Sequence, residues 1–286
     1  MKKAMLLLFT MVIMFALSAC GAGNQNGSKS GGNASGNSGE GQAESGTVIN
    51  VGTNPTFPPF ETTTNDGDLA GFDIALLKAI ANQENLEVHF RSMQFDGLIP
   101  ALQGGTIDAA IAGMTITKDR LKHVAFSNAY YKSGLSIMTK PGSDIHSFSD
   151  LKGHLVATQK ATSSVTYMKN HGIPASDIKQ YSSISAAYSS LLSGGADAVL
   201  YDNPVNVNFL KGHKDKAKIV GKLLTGEYYG IAVSKKSADL VQKLNEGLKK
   251  LKQNGGYKKL FDEYLNGDTR GLVKDVVKPK KAAVQS

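Results

Sequence analysis

One turn is written twice in this chain. An apolar helical stretch ends at Gly104-Gly105 and leads into Asp108-Ala109-Ala110-Ile111-Ala112; about ninety residues later another ends at Gly194-Gly195 and leads into Asp197-Ala198-Val199-Leu200-Tyr201. Glycine after a helical pattern is a stop signal, because the residue closing a helix commonly adopts a left-handed backbone. The apolar run after each pair reads as a buried strand. A helix-to-strand unit repeated at this distance predicts two similar lobes.

The flanking patterns extend both units. Residues 48–52 read as a short buried strand, 72–81 as a helix with Leu76, Leu77 and Ile80 on one face, 88–91 as a strand and 95–103 as a helix. In the second unit, 155–158 and 178–181 read as strands, and 163–169 and 184–193 as helices. Alternation of strand and helix implies an α/β fold with a parallel sheet covered on both faces. A strand at 229–233 and a helix at 238–253, carrying Leu240, Leu244, Leu248 and Leu251 on one stripe, are expected to return to the first lobe. The expected layout is lobe 1 at 47–129 plus 230–270, lobe 2 at 135–224, crossings at 130–134 and 225–229, and a Lys-rich tail at 271–286. Two crossings make a hinge, and a cleft between hinged lobes is a common ligand site.

Ahead of this body, Lys2 and Lys3 precede an apolar run and then Leu17-Ser18-Ala19-Cys20. That is an export signal, and the run is shorter than the ~20 residues a membrane-spanning helix needs. Small residues before a cysteine resemble the bacterial lipoprotein cleavage signal. Residues 1–19 are then the signal peptide, with Cys20 carrying lipid and anchoring the protein to the outer face of the cytoplasmic membrane. Residues 21–46 are almost entirely Gly, Asn, Ser, Gln and Ala and form a tether with a reach on the order of 25–30 Å. Cys20 is the single cysteine, so a disulfide framework, a cysteine metal site and a cysteine nucleophile are excluded for the body.

The net charge of +8 raises the question of nucleic acid. The lysines concentrate towards the C-terminus without an Arg-rich or aromatic-interleaved stripe, so a solvated face or an anionic envelope surface is the expectation, and no nucleic acid. The sequence has no His-Glu-x-x-His, Gly-x-Ser-x-Gly or phosphate-loop motif, and its six histidines lack metal-ligand spacing. No metal and no cofactor are implied. Ligands of open α/β sheets gather at the carboxyl ends of strands. There Arg120 offers a fork for a carboxylate with Thr115 beside it, and Asp202 offers an acid for an ammonium group. Together they describe an amino-acid site.

Thr53-Asn54-Pro55-Thr56-Phe57-Pro58-Pro59-Phe60-Glu61, Gly71-Phe72-Asp73, Phe95-Asp96-Gly97-Leu98-Ile99-Pro100-Ala101-Leu102, the segment 112–120, Phe126-Ser127 with Tyr130-Tyr131, and Tyr229-Gly230-Ile231-Ala232 resemble the polar amino-acid binding proteins of ABC importers. The likeness spans residues 48–265, and the glutamine-binding members look nearest. It implies a two-lobed fold of the periplasmic-binding-protein type II class, no catalysis, a monomer, and delivery of an amino acid to membrane permease subunits by hinge closure. By position it implies that Arg120 grips the α-carboxylate with Thr115 and the backbone of Thr162 and Ser163. Asp202 and the Gly113 carbonyl take the α-ammonium, and Phe57 and Phe95 sandwich the ligand side chain.

The departures fall where ligand choice is made. In glutamine binders Asp is expected at Asn54, Lys at Gln159 and His at Tyr201. Asn54 lacks the charge that would balance a basic ligand, which disfavours Lys and Arg. Asn54 and Gln159 can each donate and accept, which suits a neutral amide such as glutamine or asparagine; a small polar ligand or cystine stays open. Two other classes compete. An amino-acid-metabolising dehydratase on the same scaffold would need a further acid or base, for which Asp202 and Glu227 are the candidates. A sensory module would be expected alongside a transmembrane segment and a signalling domain.

Overall fold

The strand Thr47–Thr53 alternates towards its end into wholly buried residues, as a strand covered on both faces must. In the computed structural model, which describes residues 46–285, it lies between Leu86–Ser92 and Ala109–Ala110 and runs parallel to both. Next comes Ala232–Val233, antiparallel to Ala109–Ala110, and then Ala125–Phe126 at the edge. The second sheet repeats this plan. Val156–Gln159 lies between Ile178–Tyr181 and Ala198–Asp202, all parallel, followed by antiparallel Leu135–Thr139 and the edge strand Lys218–Val220. The wholly parallel sheets expected from the alternation are therefore mixed ones. Each fourth strand reaches its sheet from the hinge and so enters against the direction of the other three. The expected signal peptide, Cys20 and all of the tether except Gly46 lie outside the described residues.

Both segments expected as crossings meet in one ribbon. Tyr131–Ser133 and Glu227–Tyr229 pair antiparallel, with Tyr131 opposite Tyr229 and Ser133 opposite Glu227. The strand expected at 229–233 is accordingly split, its first part in the ribbon and Ala232–Val233 in the lobe 1 sheet. At Gly134 the two crossings approach so closely that a Cβ would stand 2.1 Å from the Thr225 carbonyl oxygen, so glycine is required there.

Helix Phe72–Gln83 buries Leu76, Leu77 and Ile80, and helix Ala238–Gln253 lays Leu240, Leu244, Leu248 and Leu251 into the same core. Helix Gly256–Leu265 closes that side with Tyr257 and Phe261. Residues 271–285 do not extend freely. The Val284 N–H donates to Ile116, its carbonyl accepts from Lys118, and the Val277 carbonyl accepts from Ala129, while Val273 and Ala282 are buried. Apolar residues interleaved with the lysines give the segment one face for lobe 1 and one for water. Among the described residues no helix is long and apolar enough to cross a membrane.

Candidate functional site

After the short strand Ala109–Ala110 the chain leaves the sheet, turns at Gly113 and passes Thr115 before helix Arg120–His123 begins. Arg120 is buried. Its Nη1 donates to the Thr115 carbonyl at 2.7 Å and its Nη2 to the Ala161 carbonyl of lobe 2 at 2.9 Å, with the guanidinium 5.3 Å from the centre of the Phe95 ring. A guanidinium has five N–H donors, so this geometry fixes the plane of the fork and leaves donors for a carboxylate. Burial lowers its pKa, and the nearby acids Glu227 and Asp202 oppose that shift.

Beside Arg120 is a narrow cavity of about 10 Å³ lined by Phe57, Phe95, Ala112, Gly113, Thr115 and Arg120 from lobe 1, and by Thr162, Ser163, Tyr201 and Asp202 from lobe 2. Eight of the ten residues expected at the ligand site therefore share one wall. Gly113 takes φ +51°, and a Cβ there would lie 2.2 Å from the Phe57 ring, so the glycine lets ring and backbone meet. Thr162 and Ser163 open helix Ser163–Asn170, whose first N–H groups have no partner within the helix and carry the positive end of its dipole. Asp202 ends strand Ala198–Asp202. One of its oxygens accepts the Tyr229 and Ser133 hydroxyls, and burial, then Glu227, raises it to about 7.

Asn54 and Gln159 stand elsewhere. Neither lines the cavity; the Gln159 Nε2 donates to the Asn54 Oδ1 across the lobes at 3.0 Å and to the Ser182 carbonyl at 3.1 Å. Asn54 donates to Met93 and accepts from Thr56, and Gln159 accepts from Tyr201. Two residues singled out in the sequence for other reasons also meet the site. The Tyr201 ring forms part of the wall, at the position equivalent to Ala112. Glu227, on the hinge ribbon and buried, accepts the Thr115 hydroxyl at 3.0 Å and the Ser163 hydroxyl at 3.1 Å, one from each lobe. The Thr115 hydroxyl is thus engaged with Glu227, and what Thr115 presents beside Arg120 is its backbone. Among the described residues no group of three or more His, Cys, Asp or Glu side chains could hold a metal ion.

The chain is similar to known proteins. An L-arginine-binding protein of Pseudomonas aeruginosa is 35% identical over 233 residues, covering 78% of this chain and 90% of the relative. The ABC transporter glutamine-binding protein GlnH of Bacillus subtilis is 35% identical over 211 residues, covering 71% and 76%. A solved ancestral arginine-binding protein bound to glutamine superposes with a TM-score of 0.72 at 43% identity, covering 77% of this chain and 98% of its own. These relatives are binding proteins, not enzymes. The profile of bacterial extracellular solute-binding proteins, family 3, matches residues 49–267, and with a two-lobed fold and a charged cavity between the lobes the chain belongs to that family, as an amino-acid-binding component of an ABC transporter.

Proposed function

We propose that the cavity takes a neutral polar amino acid, glutamine foremost, with Arg120, the Thr115 backbone and the N-terminus of helix Ser163–Asn170 on its carboxylate, and Asp202 with the Gly113 carbonyl on its ammonium. The observation carrying this reading is that Asp202 is the one acid in the cavity wall among the described residues. Once it meets the α-ammonium, nothing in the wall balances a second positive charge, and an unpaired buried cation is costly. The remaining wall is Phe57, Phe95, Tyr201 and Ala112, suited to an uncharged side chain. That an ancestral arginine binder 43% identical to this chain was solved with glutamine supports a scaffold able to take the amide.

Arginine is the competing ligand, favoured by the 35% identity to the Pseudomonas protein. A thermal-shift screen against the twenty amino acids and cystine separates the two. A ligand at 100 times its Kd stabilises the folded state by ~2.7 kcal/mol, so the largest shift names it, and a shift with arginine and none with glutamine overturns the neutral assignment. Delivery is to the membrane subunits of the importer, with the protein held at the outer face of the cytoplasmic membrane by lipid on Cys20. Mass spectrometry of wild type and Cys20→Ala tests the anchor. A mature wild-type chain starting well beyond Cys20 and carrying no lipid removes it.

A further inference from the structure

Behind the Gly113 wall sit two acids that ligand capture does not use. Glu61 and Asp73 are both fully buried, and neither Glu61 oxygen nor the Asp73 Oδ1 has a hydrogen-bond donor among the described residues. The other Asp73 oxygen, Oδ2, is well served: the Gly113 N–H donates to it at 2.8 Å and the Tyr130 hydroxyl at 2.7 Å. The Asp73 N–H donates to the carbonyl of Phe60, the residue before Glu61, at 2.9 Å, and each carboxyl acts on the other's ionisation.

Two adjacent buried carboxylates cannot both be charged without a cation between them. The groups facing the pair are Tyr130 at the approach to the hinge, and Asp202 with Tyr201 at the end of the lobe 2 strand, none of them cationic. We propose that Glu61 and Asp73 share one proton, and that this acid pair is the positioning element that holds Gly113 in the turn facing the ligand.

The proton belongs on Glu61. Asp73 lies in the first turn of helix Phe72–Gln83, where the helix dipole favours negative charge, and it already receives two donors. Glu61 has neither advantage, and burial followed by the Asp73 charge raises its pKa well above the usual carboxylate range. Its O–H then satisfies the Asp73 Oδ1, and the ionised Asp73 grips the Gly113 N–H through Oδ2. The chain continues from that N–H through a positive-φ residue to the carbonyl assigned to the ligand's ammonium. The assignment rests on the amino-acid reading of the cavity, whereas the shared proton does not.

Glu61→Gln, Glu61→Ala and Asp73→Asn test it in the full-length protein, titrated with L-glutamine and with L-arginine. An amide at position 61 can still donate to Asp73, so Glu61→Gln should bind within about threefold of wild type, whereas Glu61→Ala and Asp73→Asn should weaken binding about tenfold or more. Melting without ligand isolates the proton. An acid kept neutral only when folded loses stability as pH rises through the carboxylate range, so Glu61→Gln should gain on wild type between about pH 5 and pH 8. Should neither amino acid bind wild type, the ligand assignment fails and the melting comparison still decides the pair. A constant difference between wild type and Glu61→Gln at both pH values, or a Gln variant that binds no better than the Ala variant, overturns the proposal. So does a metal-ion-dependent rise in melting temperature present in wild type and lost in Glu61→Gln, since a carboxylate would then be holding a cation.

Discussion

In lobe 1 the Asp108 carboxylate accepts the Asn50 N–H at 2.8 Å while the Asp108 N–H donates to the Asn50 carbonyl at 2.8 Å; in lobe 2 Asp197 makes the same two bonds, at the same lengths, with Leu155. Each helix before these turns closes on a left-handed glycine, Gly105 and Gly194. Five residues past each aspartate the lobes part. Position 113 is a glycine against which the Phe57 ring rests, and position 202 is a buried carboxylate. The shared turn lines up two strands, and the residue just beyond is where each lobe acquires its chemistry. The strand in lobe 1 stops after Ala110, which frees the chain to carry Thr115 and Arg120 into the cleft, whereas in lobe 2 the strand runs on to Asp202.

Removing either chemical end should do the most damage. Arg120→Ala and Asp202→Ala should each weaken ligand binding by ~2–5 kcal/mol, because truncation leaves a buried charge of the ligand unpaired. Arg120→Lys should also be poor, as it keeps the charge and loses the two-pronged fork. Calorimetric titration measures all three, and an alanine variant within a few-fold of wild type would mean the two ends are assigned to the wrong groups. Gly113→Ala comes next. It forces a side chain into φ +51° and against the Phe57 ring, and strain of this kind costs ~1–3 kcal/mol. Adding Phe57→Ala should return part of the loss if the ring contact is its cause.

Ligand binding and folding answer pH in opposite senses. With burial holding Asp202 at about 7, an ammonium ligand must displace a proton below that value. Affinity should therefore fall about tenfold per unit as pH drops from about 7 to 5, and level off above. The ligand-free protein moves the other way, losing stability as pH rises towards 7, since a raised acid favours the folded form while it stays protonated. Calorimetry in buffers of different ionisation heat should find proton release of about one per ligand near pH 6 and close to none near pH 8. A flat affinity profile would place the ammonium on some group other than Asp202.

Periodicity made much of this readable. The strand Ile178–Tyr181 and the helices Ile184–Ser193 and Ala238–Gln253 lie where apolar spacing puts them, because each turns a regularly spaced set of residues into the core. Leu135–Thr139 escaped notice although all five residues are buried, since Ser136 and Thr139 interrupt the apolar run and its place in the sheet depends on a chain reversal at the hinge. Helix Asn203–Leu210 opens Asn-Pro, which reads as a turn until proline is seen at the first helical turn. Arg120 and Asp202 could be singled out because charge type and strand-end position point to a ligand's constant groups, whereas Gly113, Phe57 and Phe95 came only through the resemblance to amino-acid binding proteins. The partners of Asn54 and Gln159 could not, since a side-chain amide bonds to whatever the fold brings within 3 Å and sequence does not record the distance.

That pair yields the smallest effect and the sharpest comparison, because it ties one lobe to the other. Both Gln159 amide hydrogens are engaged, one with Asn54 and one with the Ser182 carbonyl, so the group cannot turn towards a ligand without releasing the opposite lobe. A bond that spans the cleft contributes to the closed form whatever amino acid lies inside. Asn54→Ala and Gln159→Ala should then weaken binding of every ligand by the same factor, ~0.5–1.5 kcal/mol for a lost hydrogen bond, and leave the ranking intact. Asn54→Asp is more discriminating. The carboxylate can still accept from Gln159 and Thr56 but gives up donation to Met93 and adds a buried charge. If the pair is only a tie, glutamine, glutamate, lysine and arginine lose affinity together. If the residue reads the far end of the ligand, as its place among the departures from glutamine binders suggests, lysine and arginine rise relative to glutamine. Competition titration of the four ligands on wild type and Asn54→Asp distinguishes a closure contact from a selectivity residue, and a change of rank would draw Asn54 into the site that its present hydrogen bonds hold it behind.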